Sequence, residues 1–193
     1  MAVGAVRPAD IDESHRPAES PAELVERLAR EKAARTVHPG ELVLGADTVV
    51  VVDGEILGKP VDRPAAGAML ALLSGRRHDV VTGVAVADRR RGSAVGIRSG
   101  TATTSVSFRT LTASEINAYV EGGEGLDKAG AYGIQGGGGA FVESISGRYD
   151  TVVGLPLDLA VRLLDPDGAL GESVATSIGV SPWTPIAASS ASS

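Results

Sequence analysis

The spacing of apolar residues changes period several times along this chain, and each change marks an element. Ser20-Pro21-Ala22-Glu23 offers a capping hydroxyl, a proline suited to the first helical position and a glutamate that completes a capping box. Leu24, Leu28 and Ala29 then share one helix face. Lys32, one turn past Leu28, borders that face near the end where a cation suits the helix dipole. The period shortens over Glu41 to Val52, a run rich in β-branched residues, and Asp53-Gly54 predicts a hairpin turn into Glu55-Ile56-Leu57. Helical spacing returns from Pro64 to Leu73 through Met69, Leu70 and Leu73, with Gly75 just past the end.

Asp79 to Val86 and Ile97 to Phe108 read as the strands of a second hairpin, joined by a charged turn at Asp88 to Gly92. Thr112-Ala113-Ser114-Glu115 is a second capping box, opening a short helix with Ile116, Tyr119 and Val120 inward and Gly122 beyond its end. Nine of the eighteen residues from Gly122 to Gly139 are glycine, which disfavours helix and strand and lets a ligand approach the backbone closely. Phe141-Val142 resumes a strand, and Thr151 to Pro156 leads into a final helix over Leu157 to Leu164. These elements fill a domain over residues 1–165. Residues 166–193, mostly Ser, Ala and Pro with the chain's one Trp, read as a disordered tail.

Composition narrows the functional classes. With 193 residues, 43% of them apolar, the chain can bury one core, with room for two lobes. It has no cysteine, hence no disulfide and no thiolate metal site, which points to the cytoplasm. The start lacks the basic head and apolar run of a secretory signal, and no stretch reaches the roughly 18 apolar residues of a membrane span. A net charge of −6 and 3% aromatic content argue against a nucleic-acid polymer as partner, leaving small anions bound by placed cations or a metal.

The chemistry concentrates in a few places. Asp47, in Gly45-Ala46-Asp47-Thr48 within the apolar run Leu42 to Val52, is a carboxylate on a strand that should be buried. Such an acid needs a cation, a metal or hydrogen bonds to offset its desolvation, so it can serve as proton acceptor, as metal ligand or as a structural acid at a bulge. Lys59 precedes Pro60, whose ring holds it extended at a defined loop position, although a solvated lysine would look the same. Glu13, in Ile11-Asp12-Glu13-Ser14, is a second acid that a solvated turn would equally explain. Asp127 to Gly136 combines free amides, the cation Lys128 and the amide Gln135, and could cradle phosphates or read a base edge. Its Tyr132 and Ile134 distinguish it from a plain glycine linker. Arg76 and Arg77, in Ser74-Gly75-Arg76-Arg77, could contact phosphate or merely face a helix end. His15, His38 and His78 form no metal-ligand spacing and read as incidental.

Taken together these residues resemble the Maf family of nucleoside triphosphate pyrophosphatases. The similarity runs from about residue 8 to residue 164, through Asp12-Glu13-Ser14, Leu28-Ala29 with Lys32-Ala33, Gly45 to Val50, Gly58-Lys59-Pro60, Leu73 to Arg76 with His78, Thr82-Gly83-Val84, Asp127 to Gly136 and Val153-Gly154-Leu155-Pro156. The resemblance implies an α/β fold with a long, twisted mixed sheet, flanking helices and two lobes around a nucleotide cleft. It implies hydrolysis of a nucleoside triphosphate between the α and β phosphates, with a divalent metal, Mg or Mn, to give a monophosphate and pyrophosphate. Thr48 and the Ala131-Tyr132-Gly133-Ile134-Gln135 run resemble the branch acting on dTTP and UTP. Carried over, Asp47 activates water and Glu13 joins it in placing the metal. Lys32, Lys59 and Lys128 offset phosphate charge, and Thr48 and Gln135 help select the base. A homodimer is compatible with the resemblance.

Family members open with a strand and a Ser-Ala-Ser-Pro-Arg-Arg type loop before the region matching Val6-Arg7-Pro8, and no Ser-Pro-Arg-Arg occurs in this chain. The expectation is therefore an amino-terminally truncated domain, with two alternatives. One is a catalytically inactive nucleotide-binding or cell-division regulatory protein; the other is the same reaction on purine or 7-methyl-GTP substrates.

Overall fold

Helix α1 (Pro21–Thr36) begins where the sequence predicts. Ser20 accepts from the Glu23 amide, and the Glu23 carboxylate receives the Ser20 amide at 2.8 Å. The computed structural model describes residues 5–90 and 94–166. Of the tail predicted over 166–193, all but residue 166 lies outside the described residues, as does part of the charged turn at Asp88 to Gly92.

After α1 come β1 (Leu42–Val52), β2 (Glu55–Leu57), α2 (Arg63–Leu73), β3 (Arg77–Asp88), β4 (Gly96–Phe108) and α3 (Ala113–Gly122). Two 3₁₀ turns, Ala129–Ala131 and Gly137–Phe141, precede β5 (Val142–Ser146), α4 (Tyr149–Val153) and α5 (Leu157–Leu164). The strands form one five-stranded sheet in the order β2-β1-β3-β4-β5. The β1–β2 pair is antiparallel, with Val50 opposite Leu57 and Val52 opposite Glu55, closed by the predicted turn with Asp53 at φ 49° and Gly54 at φ 84°. The β4–β5 pair is also antiparallel, Ser105 facing Ser146, with a register shift between Ser107 and Phe108.

Two predicted helix boundaries move for local reasons, and one helix is added by tertiary bonds. Helix α2 starts at Arg63 because the Asp62 carboxylate accepts from the Ala65 amide at 2.8 Å. Helix α3 takes in Gly122 and is closed by Gly123 in the left-handed region, φ 75°. Helix α4 was not predicted, because the β-branched run Thr151-Val152-Val153 suits a strand. Tertiary bonds hold it instead: Thr82 donates to the Thr151 carbonyl at 2.8 Å, and the Asp150 carboxylate accepts from the Leu157 amide at 3.1 Å.

The chain divides into two compact units. Unit 1 takes the residues up to Val49, Val80–Thr103 and those from Asp150 through α5; unit 2 takes Val50–Asp79 and Thr104–Tyr149. In unit 1, helix α1 covers one face of the sheet, where Ala29, Ala33 and Val37 meet Ala85, Ala87, Val43 and Ile97. Helix α5 covers the other, where Leu159 and Ala160 meet Val84, Leu44 and Ala102. In unit 2, α2 packs beside α3. Its centre is aromatic: Phe108 meets His78 and Tyr132 edge-on, each at 4.8 Å between ring centroids, and Tyr119 meets Phe141 at 5.0 Å. No helix among the described residues is long and apolar enough to cross a membrane.

Candidate active site

Two glycines decide how α1 meets the sheet. A Cβ on Gly45 would stand 2.5 Å from the Ala29 carbonyl oxygen and 2.9 Å from the Ala33 nitrogen; one on Gly83 would stand 2.3 Å from the Val25 carbonyl oxygen. The helix backbone therefore rests directly on the backbones of β1 and β3. Asp47 lies two residues past Gly45 and so points to the same face of β1. There its Oδ1 meets the Nζ of Lys32 at 2.5 Å, and the Glu13 Oε1 meets the same Nζ at 2.7 Å.

Burial grades this triad. The Asp47 side chain is 11% exposed, Lys32 20% and Glu13 45%, so the acid is the most enclosed and Glu13 stands at the rim. Burial alone would push the Lys32 ammonium down, but hydrogen bonds and charge from Asp47 and Glu13 outweigh it and hold the group above its ordinary value. The residues around Glu13 have no regular structure and are tied to α1 by Arg27. Its guanidinium donates to the Ser14 carbonyl at 2.9 Å and pairs with Glu19 at 2.6 Å, and this pair lowers the Glu19 carboxyl to about 2. Arg27 and Glu19 are eight residues apart on either side of a helix cap, a spacing that carries no sequence signal.

Thr48, beside Asp47 in sequence, points to the opposite face of β1. Its hydroxyl lies 2.9 Å from that of buried Thr82, and Thr82 spends its one proton on the Thr151 carbonyl at 2.8 Å. Thr48 is therefore the donor in the first bond and keeps only acceptor capacity. Gly154, at φ 106°, packs against this hydroxyl; a Cβ there would stand 3.4 Å from it.

The remaining predicted residues lie in unit 2. Lys59 is exposed, and the Gly58 carbonyl before it accepts from the Gly130 amide at 3.1 Å. Gly130, at φ 67°, sits so close to Val50 that a Cβ would come within 2.8 Å of its Cγ2. The Lys59 turn is thus stitched to the glycine-rich loop that carries Lys128. Lys128 Nζ pairs with Asp127 at 2.8 Å, and hydrogen bonding and charge from Lys128, with a smaller contribution from Lys59, hold the Asp127 carboxyl below its usual value. Gln135 is exposed further along the same loop. Arg76 instead pairs with Asp53 at 2.7 Å, and Arg77 donates to Ser105 at 2.8 Å.

His78, read from sequence as incidental, is buried at 2% exposure, with its Nε2 2.9 Å from the Tyr132 hydroxyl. Burial pushes it down to about 4, against weak support for a proton from the Arg76 main chain and the Asp79 charge. The signal for its burial was its place at the head of the apolar strand β3.

Glu13 Oε1 and Asp47 Oδ1 converge on one ammonium, so the position is one where positive charge is favoured. Paired carboxylate oxygens suit a hard divalent cation such as Mg or Mn, which commonly takes one or two carboxylates and completes its shell with water and substrate phosphate. Among the described residues no group of three or more His, Cys, Asp or Glu gathers.

The family model for Maf-like proteins matches residues 1–166. A dTTP/UTP pyrophosphatase of Anaeromyxobacter dehalogenans is 55% identical over 160 residues, covering 82% of this chain and 80% of the relative. Proteins of the same name are 53% identical over 161 residues in Symbiobacterium thermophilum and 52% identical over 163 residues in Salmonella typhimurium, each again covered over 80% of its length. These matches cover 82% and 83% of this chain, respectively.

Proposed function

The chain belongs to the Maf family, and on that premise we propose that it hydrolyses dTTP and UTP between the α and β phosphates, releasing a nucleoside monophosphate and pyrophosphate. The observation that carries this reading is the enclosed Asp47 carboxylate held against Lys32 beside Glu13. In the reaction a water oxygen bonds to the α phosphorus, the bond from that phosphorus to the bridging oxygen breaks, and pyrophosphate leaves. Asp47 takes the proton of the attacking water. Lys32 keeps Asp47 ionised before that step, since an ammonium at hydrogen-bond distance favours the charged form.

Glu13 and Asp47 are the residues that would hold a divalent cation. When bound, that cation supplies electrostatic stabilisation of the phosphate oxygens. Lys59 and Lys128 offset further phosphate charge. Gln135, with one acceptor and two donor positions, suits a pyrimidine edge that carries both kinds of group. Thr48 contributes acceptor lone pairs only, its proton being given to Thr82. This activity fits removal of unwanted nucleotides from the cellular pool. The relatives' shared name favours dTTP and UTP over the purine and 7-methyl-GTP alternatives, and favours an enzyme over an inactive binder.

Asp47→Asn is the decisive test. It is nearly isosteric but removes the charge that accepts the proton, pairs with Lys32 and would help hold the cation, so pyrophosphate release from dTTP should drop by about 100-fold or more, the least expected from losing a general base. Wild-type turnover in this variant, measured by coupled phosphate detection in Mg or Mn, would reject the mechanism.

A further inference from the structure

The glycine-rich loop of unit 2 is organised around an acid that the mechanism does not use. Glu124 follows α3, and its Oε1 accepts from the Tyr119 hydroxyl at 2.8 Å. That hydroxyl in turn accepts from the Gly133 amide at 3.0 Å. The other oxygen, Oε2, accepts from the Gly137 amide at 2.9 Å, and the Gly138 amide adds to the same carboxylate. One side chain thus grips the loop on both sides of Gln135, through Tyr119 before it and directly after it.

The glycines are where this grip requires them. A Cβ on Gly133 would lie 2.9 Å from Glu124 Oε1, one on Gly136 2.3 Å from the same oxygen, and one on Gly138 3.0 Å from the Tyr119 hydroxyl. Real Cβ atoms essentially never approach below 3.0 Å, so a side chain at Gly133 or Gly136 would push the carboxylate away from where it grips the loop. Gln135 is itself exposed, so its direction is set by the main chain on either side.

We propose that Glu124 is a positioning residue for base selection: its carboxylate, with Tyr119, fixes the backbone that presents Gln135 to the pyrimidine edge. This rests on the pyrimidine-nucleotide reading above. A carboxylate is needed because both of its ends only accept, whereas the amide of Gln would aim hydrogens at the Tyr119 hydroxyl or at the Gly137 N–H. The consequence is selective. A loop that has lost one end of its grip still meets phosphate through Lys59 and Lys128, but no longer holds Gln135 at one angle.

The test is Glu124→Gln in the full chain, with two readouts: amide hydrogen exchange over residues 133–139, and the ratio of kcat/KM for dTTP over dCTP, whose base edge carries an amine where dTTP has a carbonyl. Exchange over the loop should rise, and the ratio should fall by about 10- to 100-fold, the range set by losing hydrogen bonds to a charged group. Tyr119→Phe, a milder lesion that keeps the ring against Phe141, should lower the ratio by a smaller factor. Equal loss on both nucleotides with the ratio kept, or loop exchange unchanged in both variants, would overturn the proposal. A wild type with no dTTP preference would overturn the substrate reading itself, and this proposal with it, before any variant is made.

Discussion

Keeping His78 buried and neutral should make unit 2 lose stability as pH falls from about 6.5 toward 4. The ring is buried between Phe108 and Tyr132, its Nε2 is taken by the Tyr132 hydroxyl, and its Nδ1 is buried with no well-formed hydrogen bond among the described residues. A proton added there meets aromatic surroundings and little compensating charge, so the folded value is about 4 against 6.5 when unfolded. Between those values the unfolded chain binds one proton more, and stability must therefore fall as pH falls from about 6.5 toward 4. At about 1.4 kcal/mol per pH unit the full interval is worth about 3 kcal/mol, of which about 2 kcal/mol is lost by pH 5. Glu19, Glu41 and Glu115, held at about 2 against 4.5 by Arg27, Arg7 and Arg109, contribute stability that is lost only as pH falls below about 4.5. Urea unfolding at pH 7 and pH 5 therefore isolates the histidine. His78→Gln keeps a polar group for Tyr132 but cannot titrate, so it should be less stable at pH 7 yet lose about 2 kcal/mol less than wild type on going to pH 5. Parallel losses in the two proteins would refute this account of the buried imidazole.

Two further perturbations probe unit 1. Gly45→Ala places a methyl against the Ala29 carbonyl and the Ala33 nitrogen, neither of which can rotate away, so it should cost about 1–3 kcal/mol in urea unfolding. Because the strain lifts α1, turnover should fall well beyond what the unfolded fraction explains; unchanged turnover per folded molecule would break the link between that contact and the Lys32–Asp47 pair. Thr82→Val keeps the volume but leaves the Thr48 hydroxyl and the Thr151 carbonyl without their shared partner. That should cost about 1–3 kcal/mol, and a neutral effect on the unfolding midpoint would show that the threonine chain contributes nothing.

What the sequence made legible is what is encoded locally. Both capping boxes, at Ser20/Glu23 and Thr112/Glu115, are found where a four-residue pattern places them, and α5 runs over the predicted Leu157–Leu164. Asp47, Lys32 and Glu13, each singled out in the sequence, come together at one ammonium, and Lys59 and Lys128 share one stitched loop system. The resemblance gives Thr48 a base-selecting role apart from that of Asp47, and strand alternation alone sends these adjacent side chains to opposite faces. That separation was readable in advance. The Arg27–Glu19 anchor, the Glu124 grip and the pairing of His78 with Tyr132 were not, because each depends on partners brought together by tertiary folding rather than by spacing. Helix α4 belongs with these: its residues favour a strand, and bonds from Thr82 and Asp150 decide otherwise.

The bare seat beneath α1 also says where the triad's precision comes from. With main chain resting on main chain at Gly45 and Gly83, no side chain cushions the helix at those two points, and its height there is fixed by atomic radii. Repacking the apolar clusters nearby would then change how firmly the helix is held without changing where it stands, and the gap from Lys32 to Asp47 would survive such redesign.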